Sequence, residues 1–286
     1  MNSVYLTIDV EDWFQVENLR PAFPISVWDK QEWHVEANTE RLLQILEDNN
    51  STATFFVLGI VAEKFPSLVC KIKQAGHEIA SHGYSHRLLY DLSEDELFEE
   101  LDSSKKILED ITGQKVNGFR APSFSITEQA IDLMSETGYK YDSSYNDFGS
   151  HDRYGQLELE NWNLLNQGIY KHPNKEFIEL PIQNLKWRGL TIPWGGGGYF
   201  RMIPWNLFKK GIQEIISETP YVFYMHPWEI DTKQPKVTNI PLGSRLRHYT
   251  NIPKVEGRLG EMLNLFNFQK TLSDLINSTN NVSQSI

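Results

Sequence analysis

Four stretches of this sequence combine residue types that can do hydrolytic chemistry. Gly76-His77-Glu78-Ile79-Ala80-Ser81-His82-Gly83-Tyr84-Ser85-His86 carries two histidines, His82 and His86, four residues apart. On one face of a helical turn, two imidazole nitrogens at that spacing can share a metal ion. Surface histidines also fall four apart, so the spacing alone leaves both readings open. Thr7-Ile8-Asp9-Val10-Glu11-Asp12 places three acids within four residues. Carboxylates that close raise one another's pKa unless a cation neutralises them; a metal ion is the simplest cation, and a solvated acidic turn is the plain alternative. Phe119-Arg120-Ala121-Pro122-Ser123-Phe124 offers a guanidinium able to grip a carboxylate through two hydrogen bonds, or to form a structural salt bridge. Tyr221-Val222-Phe223-Tyr224-Met225-His226-Pro227-Trp228 is an apolar run ending in a histidine, either a proton donor or a satisfied core histidine.

The elements that must position these residues follow from periodicity. Residues 3–9 form a short apolar run ending in acids, a buried strand whose C-terminal end emerges at a polar site. Thr52–Leu58 is β-branched and aromatic and reads as a second strand; His77–Ser81, Val116–Phe119 and Tyr139–Tyr141 read as further short strands. Helices are expected at Asn38–Asp48, at Ile60–Gln74 with an interruption near Pro66, and at Thr127–Thr137 ended by Gly138. Ser93 and Glu96 make a capping box for a helix running to Thr112. Residues 13–34, rich in proline and tryptophan, read as a loop. The second half is less regular, with strands near Phe177–Leu180 and Tyr221–Tyr224 and helices over Ile203–Ser217 and Leu259–Ile276. The alternation of strand and helix predicts parallel βα units in a barrel or an open sheet. All four chemical stretches then fall at the C-terminal ends of strands, the face where a barrel gathers its active site. Two histidines, a carboxylate, a second carboxylate, an arginine and a further histidine together match the parts of a metallohydrolase.

Composition is compatible with this. The chain has 286 residues, 40% hydrophobic and 23% charged, ordinary for a globular protein and close to the roughly 250 residues of one α/β barrel. Without a repeat or a low-complexity linker, residues 1–286 read as one domain, with a core over 3–230, a distinctive region at about 150–276 and a frayed tail at 277–286. The single cysteine, Cys70, excludes an internal disulfide framework. A net charge of −11 disfavours a nucleic-acid partner. No apolar window of about 18 residues predicts a membrane span, and the N-terminus enters a strand without a signal-peptide pattern, so a cytoplasmic location is expected. Oligomeric state is not readable.

On these motifs the sequence resembles the polysaccharide deacetylase family, carbohydrate esterase family 4, strongly over residues 3–145 and again at 221–228. Ser81-His82 through Ser85-His86 fits the metal-histidine motif, Arg120-Ala121-Pro122 the arginine-proline motif and His226 the late-strand histidine, while Thr54-Phe55-Phe56-Val57-Leu58-Gly59 and Gly76-His77-Glu78-Ile79 fit linking segments. The acidic motif departs from the usual adjacent aspartates, and resembles a branch with peptidoglycan deacetylase-like and metal-free allantoinase-like members. The resemblance implies an α/β fold, an irregular (β/α) barrel of about seven parallel strands. It implies a carbohydrate N-deacetylase holding one divalent ion, zinc by preference, on His82, His86 and either Asp12 or Glu11. Strand alternation puts Glu11 on the side of Asp9, whereas family chemistry usually uses aspartate, so Asp12 is preferred. Asp9 is the implied base, Arg120 its orienting partner and His226 the acid, with Asp142 steering His226. Pro193–Arg201 and Arg245–Tyr249 resemble a region of an exopolysaccharide-associated subgroup. There the glycine run is expected to approach a sugar, with Trp194, Tyr199 and Pro122 as substrate contacts. The partner is a carbohydrate bearing N-acetyl groups. Two other readings are a metal-free allantoinase-like amidohydrolase and an inactive carbohydrate-binding module.

Overall fold

The computed structural model describes residues 3–148, 153–166 and 168–283. Its strands are β1 (Val4–Val10), β2 (Thr54–Val57), β3 (Glu78–Ser81), β4 (Gly118–Phe119), β5 (Tyr141–Asp142), β6 (Asn163–Asn166), β7 (Ile169–Lys171), β8 (Ile178–Glu179), β9 (Leu185–Trp187), β10 (Leu190–Ile192) and β11 (Tyr221–Met225). Nine of them form one sheet in the order β11-β1-β2-β3-β4-β5-β8-β7-β6. From β11 to β8 the pairing is parallel, which makes seven parallel strands; β7 and β6 add an antiparallel extension, and β9 pairs with β10 as a separate hairpin. The sheet curls into a half-barrel of the (β/α) type implied by the motifs.

Strand β1 sits between β11 and β2, and all seven of its residues are buried. A strand covered on both faces is the reason for its apolar run. Around the sheet lie α1 (Val35–Asp48), α2 (Gly59–Lys64), α3 (Pro66–Gln74), α4 (Glu94–Thr112), α5 (Glu128–Glu136), α6 (Gly197–Met202), α7 (Trp205–Glu218), α8 (Leu242–Tyr249), α9 (Val255–Leu265) and α10 (Leu272–Ser283). Ser93 and Glu96 form the expected capping box on α4, and Gly113 ends it with φ +65°. Thr127 caps α5 through the Ala130 N–H.

The differences from the sequence pattern have local causes. Helix α1 starts at Val35, three residues before Asn38, because the Asp12 carboxylate accepts hydrogen bonds from the His34 and Val35 N–H groups at 2.6 and 2.8 Å. Pro66 opens a new helix, so residues 60–74 divide into α2 and α3. Pro204 likewise separates α6 from α7. The single helix expected at 259–276 is two. Between them Phe268 is buried and its carbonyl accepts from the Thr52 N–H at 2.7 Å, and this tertiary bond overrides helical continuity. Helix α10 runs to Ser283, past the expected fraying at Asn277, and residues 284–286 lie outside the described residues.

The glycine run serves packing on β11. The Tyr224 N–H donates to the Gly195 carbonyl at 2.8 Å. Gly196 has φ +142°, and a Cβ there would lie 1.9 Å from the Tyr224 carbonyl oxygen, so only glycine fits. Trp194 is 3% exposed, stacks on Phe208 at 5.4 Å and donates its indole N–H to the Phe208 carbonyl at 2.9 Å. It is a core residue, and its expected role as a sugar platform is corrected. Trp194→Ala should lower unfolding stability by about 3–5 kcal/mol, read by denaturant titration; a loss near zero would mean that the indole is not packed as described.

Candidate metal centre and catalytic cleft

The curled sheet delivers its chemistry at strand C-termini. Asp9 pairs with Phe56 one residue before the end of β1, and Glu11 is the first residue after the strand. His82 follows β3, Arg120 follows β4 and His226 follows β11. Asp9, Glu11, His82, His86 and His226 line one cleft, with Phe124, Tyr154, Tyr199, Tyr224, Arg153 and Arg247 in its walls.

Glu11, His82 and His86 are all buried, and one ligand atom from each lies within 4.8 Å of the others. His82 Nδ1 is 2.8 Å from the Arg120 carbonyl oxygen, so it donates there and leaves Nε2 as the free donor atom. An outer partner of this type fixes the tautomer of a metal-ligating imidazole. Glu11 Oε2 is buried and receives no hydrogen bond, although His86 Nε2 lies 2.6 Å away. Two ligand-type atoms pressed together out of hydrogen-bond alignment are what a shared cation would resolve. The donor set suits such an ion electrically. Burial lowers His82 to about 4, helped by His86 against Asp9 and Glu11, which keeps it neutral. Burial would raise Glu11, but the pull of His86 and His226 outweighs it and holds it at about 2. The residues fit a divalent cation bound by one carboxylate and two imidazoles, with room for further ligands.

His82 and His86 are not on a helical turn as their spacing suggests. They lie in a loop shaped by Gly83 at φ +77° and by His86 itself at φ +58°. Buried Glu100 holds this loop by accepting from the Tyr84 and Ser85 N–H groups, both at 2.9 Å. Arg20, from the 13–34 segment, donates to the His86 carbonyl at 2.6 Å. Asp12 has a different task from the one expected. Its carboxylate accepts from the Trp13, His34 and Val35 N–H groups, and burial nevertheless raises it to about 6. Consumed at the start of α1, it is absent from the cluster that Glu11 enters.

Arg120 is fully buried. It donates to Asp9 Oδ1 at 2.9 Å, Thr7 Oγ1 at 2.6 Å, the Ser143 carbonyl at 2.8 Å and Ser143 Oγ at 3.0 Å. Asp9 Oδ2 remains 4.0 Å from His226 Nε2. His226 Nδ1 meets Glu229 Oε1 at 2.7 Å, and Arg201 Nε donates to Glu229 Oε2 at 2.8 Å. Burial alone would lower His226, but Glu11, Glu229 and Asp9 raise it to about 9. Trp228 stacks on both His226 and His248 and donates its indole N–H to Glu11 Oε1 at 3.1 Å.

Glu229 takes the steering position expected of Asp142. Asp142 is fully buried, accepts from Ser144 Oγ at 2.7 Å and touches Glu179; burial raises both acids, Glu179 well above the carboxylate range. The sequence reading gave no role to Glu229, Arg201 or Trp228. The His-Pro-Trp-Glu run was the available signal, because a glutamate three residues after His226 can bond back to it. Among the expected substrate contacts, Tyr199 lines the cleft. Pro122 is buried beside Gly83, while its neighbours Ala121, Ser123 and Phe124 face the cleft.

With this geometry established, the family profile described as "Polysaccharide deacetylase" matches residues 2–141, and a "Domain of unknown function (DUF3473)" matches residues 143–276. The first of these stretches is a polysaccharide deacetylase domain. It is 36% identical over 101 residues to a peptidoglycan-N-acetylglucosamine deacetylase of Bacillus cereus, covering 35% of this chain and 37% of that protein. It is 32% identical over 115 residues to a peptidoglycan deacetylase of Helicobacter pylori, covering 40% and 39%. These alignments span well under half of either relative's length. A crystal structure of a candidate polysaccharide deacetylase from Mycobacterium smegmatis superposes with TM-score 0.65 at 20% identity, over 98% of this chain and 91% of that one, a likeness of fold.

His248 gives the site wall an acid sensitivity. It is 1% exposed, stacked on Trp228 at 4.4 Å and bonded through Nε2 to Gln234, and burial beside Arg201 lowers it from 6.5 to about 3. A depressed folded-state pKa leaves its stabilising share intact above about 6.5 and loses it as pH falls towards 3. Acidification from pH 7 to pH 5 should therefore cost up to about 2 kcal/mol through this residue, and His248→Gln should flatten that part of the stability–pH curve. An unchanged slope would show that His248 can take up a proton in the folded protein.

Proposed function

We propose that this chain is a metal-dependent hydrolase that removes N-acetyl groups from amino sugars of a polysaccharide or its precursor, and that zinc is the ion. The observation that carries the reading is the convergence of the buried Glu11, His82 and His86 donors with Asp9 and His226 across one cleft. The names of the relatives support a carbohydrate N-acetyl substrate. The gathered donor set favours this over a metal-free amidohydrolase, and the separated acid and base favour it over an inactive binding module. We also propose that both family stretches fold as one domain, since β11 and β8 from the second complete the sheet of the first.

Glu11, His82 and His86 would hold the ion, which when bound supplies Lewis acidity towards the amide carbonyl and towards water. Asp9 takes a proton from the attacking water. Arg120 occupies Asp9 Oδ1 and leaves Oδ2 facing the cleft, so the base is held and aimed. His226, with Nδ1 tied to Glu229, presents Nε2 to the cleft. From Nε2 it gives a proton to the departing nitrogen as the carbon–nitrogen bond breaks. Arg201 holds the far oxygen of Glu229 and fixes the imidazole plane. The products are acetate and a free amino sugar.

Asp9→Asn should lower kcat for acetate release by about two to four powers of ten with the metal content unchanged; retained kcat would remove Asp9 from the role of base. Glu11→Gln should weaken metal binding by at least about tenfold, measured by elemental analysis after dialysis. Asp12→Asn should keep the metal and lose about 1 kcal/mol of stability. The opposite pair of outcomes would make Asp12 the ligand.

A further inference from the structure

We infer that the cleft recognises a substrate carrying an anionic oxyacid group, a carboxylate or a phosphate, on or next to the N-acetyl sugar, and that Arg247 is its main contact. The inference rests on the deacetylase reading for the sugar but not for the anion. The cleft acids are already paired: Asp9 with Arg120, Glu229 with Arg201 and Glu17 with Arg20, while Glu11 belongs to the cation site. Two further guanidiniums, Arg153 and Arg247, line the mouth. Arg153 is anchored by a 2.8 Å bond to Asn18 Oδ1. The Arg247 side chain is exposed and carries no hydrogen bond or ion pair among the described residues. A Cβ at Gly198 would stand 3.5 Å from Arg247 Cγ, so the α6 glycine leaves room for the arginine stem beside it in the cleft lining. Tyr154 and Tyr199 line the same cleft; burial raises both hydroxyls, and the charge of Arg247 works against that at each, joined by Arg153 at Tyr154.

In a chain of net charge −11, an anionic substrate meets general repulsion, so positive charge at the cleft mouth does more than add affinity. It selects the orientation in which the acid group leads away from the carboxylates of the reaction centre. A planar guanidinium engages carboxylate or phosphate oxygens through paired hydrogen bonds. A neutral sugar offers no such partner.

The test is calorimetric binding of three probes to the zinc-loaded full chain: chitotetraose, a tetrasaccharide alternating N-acetylglucosamine with glucuronate, and UDP-N-acetylglucosamine. At least one anionic probe should bind about tenfold more tightly than the neutral one, and Arg247→Ala should abolish that ratio while Arg247→Lys keeps part of it. The probe that shows the preference identifies carboxylate or phosphate as the group. Equal affinity for all three, or a preference that survives Arg247→Ala, would overturn the inference. Acetate release from chitotetraose by the wild type, measured alongside, tests the deacetylase reading separately: release without anion preference sinks only the anion site, and preference without release from any probe sinks only the deacetylase.

Discussion

The arrangement depends on a guanidinium buried where water cannot reach it. Arg120 is fully enclosed, lies over the Phe56 ring at 4.2 Å and distributes its donors among Asp9, Thr7 and Ser143. A charge in such a place is tolerable only when it is paired and its hydrogen bonds are made. Asp9 is therefore held by the needs of Arg120 as much as by its own. Through Ser143 the same side chain ties the end of β5 to β1, and the Arg120 backbone carbonyl accepts from His82 Nδ1 and sets that ring. One residue thus fixes the proposed base, one proposed cation ligand and the spacing of the strands that carry them.

The opposite wall has a parallel construction from the second half of the chain. His226, Glu229 and Arg201 form an ion-paired row, and Arg201 also donates to the His248 carbonyl. Trp228 lies between His226 and His248 while its indole reaches Glu11. The stretch over residues 143–276 thereby supplies the proposed acid, His226, and braces the Glu11 carboxylate. Its contribution to the cleft is structural even before substrate contacts are counted.

Much of this was legible. Apolar runs ending in polar residues located the strand ends, and the types of His82, His86, Arg120 and His226 matched the chemistry placed there. The misreadings came where two roles compete for one residue type. Side-chain alternation pointed to Glu11, but an aspartate next door looked equally able; only the distant partners of Asp12, the N–H groups of His34 and Val35, reveal that it is spent on a helix start. Asp142 and Glu229 are both acids near strand ends, and their separation is a matter of strand order, since β5 and β11 stand five places apart in the sheet. Trp194 beside four glycines looked like an exposed aromatic platform, whereas the glycines let the backbone press against Tyr224 and carry the indole inward. Glycine spacing reports close approach but not the identity of what is approached.

The position of β1 has a consequence for how the chain is made. It is an interior strand, yet one of its two neighbours is β11, and the Thr7 side chain bonds to a carbonyl 216 residues further along. During synthesis the early βα units can assemble while the β11 side of β1 waits, apolar and unpaired, for the end of the sheet to emerge from the ribosome. An open edge of that kind is a template for pairing with other chains. The same delay means that His226 joins the cleft late, so a nascent chain carries Glu11, His82 and His86 long before it carries the proposed acid.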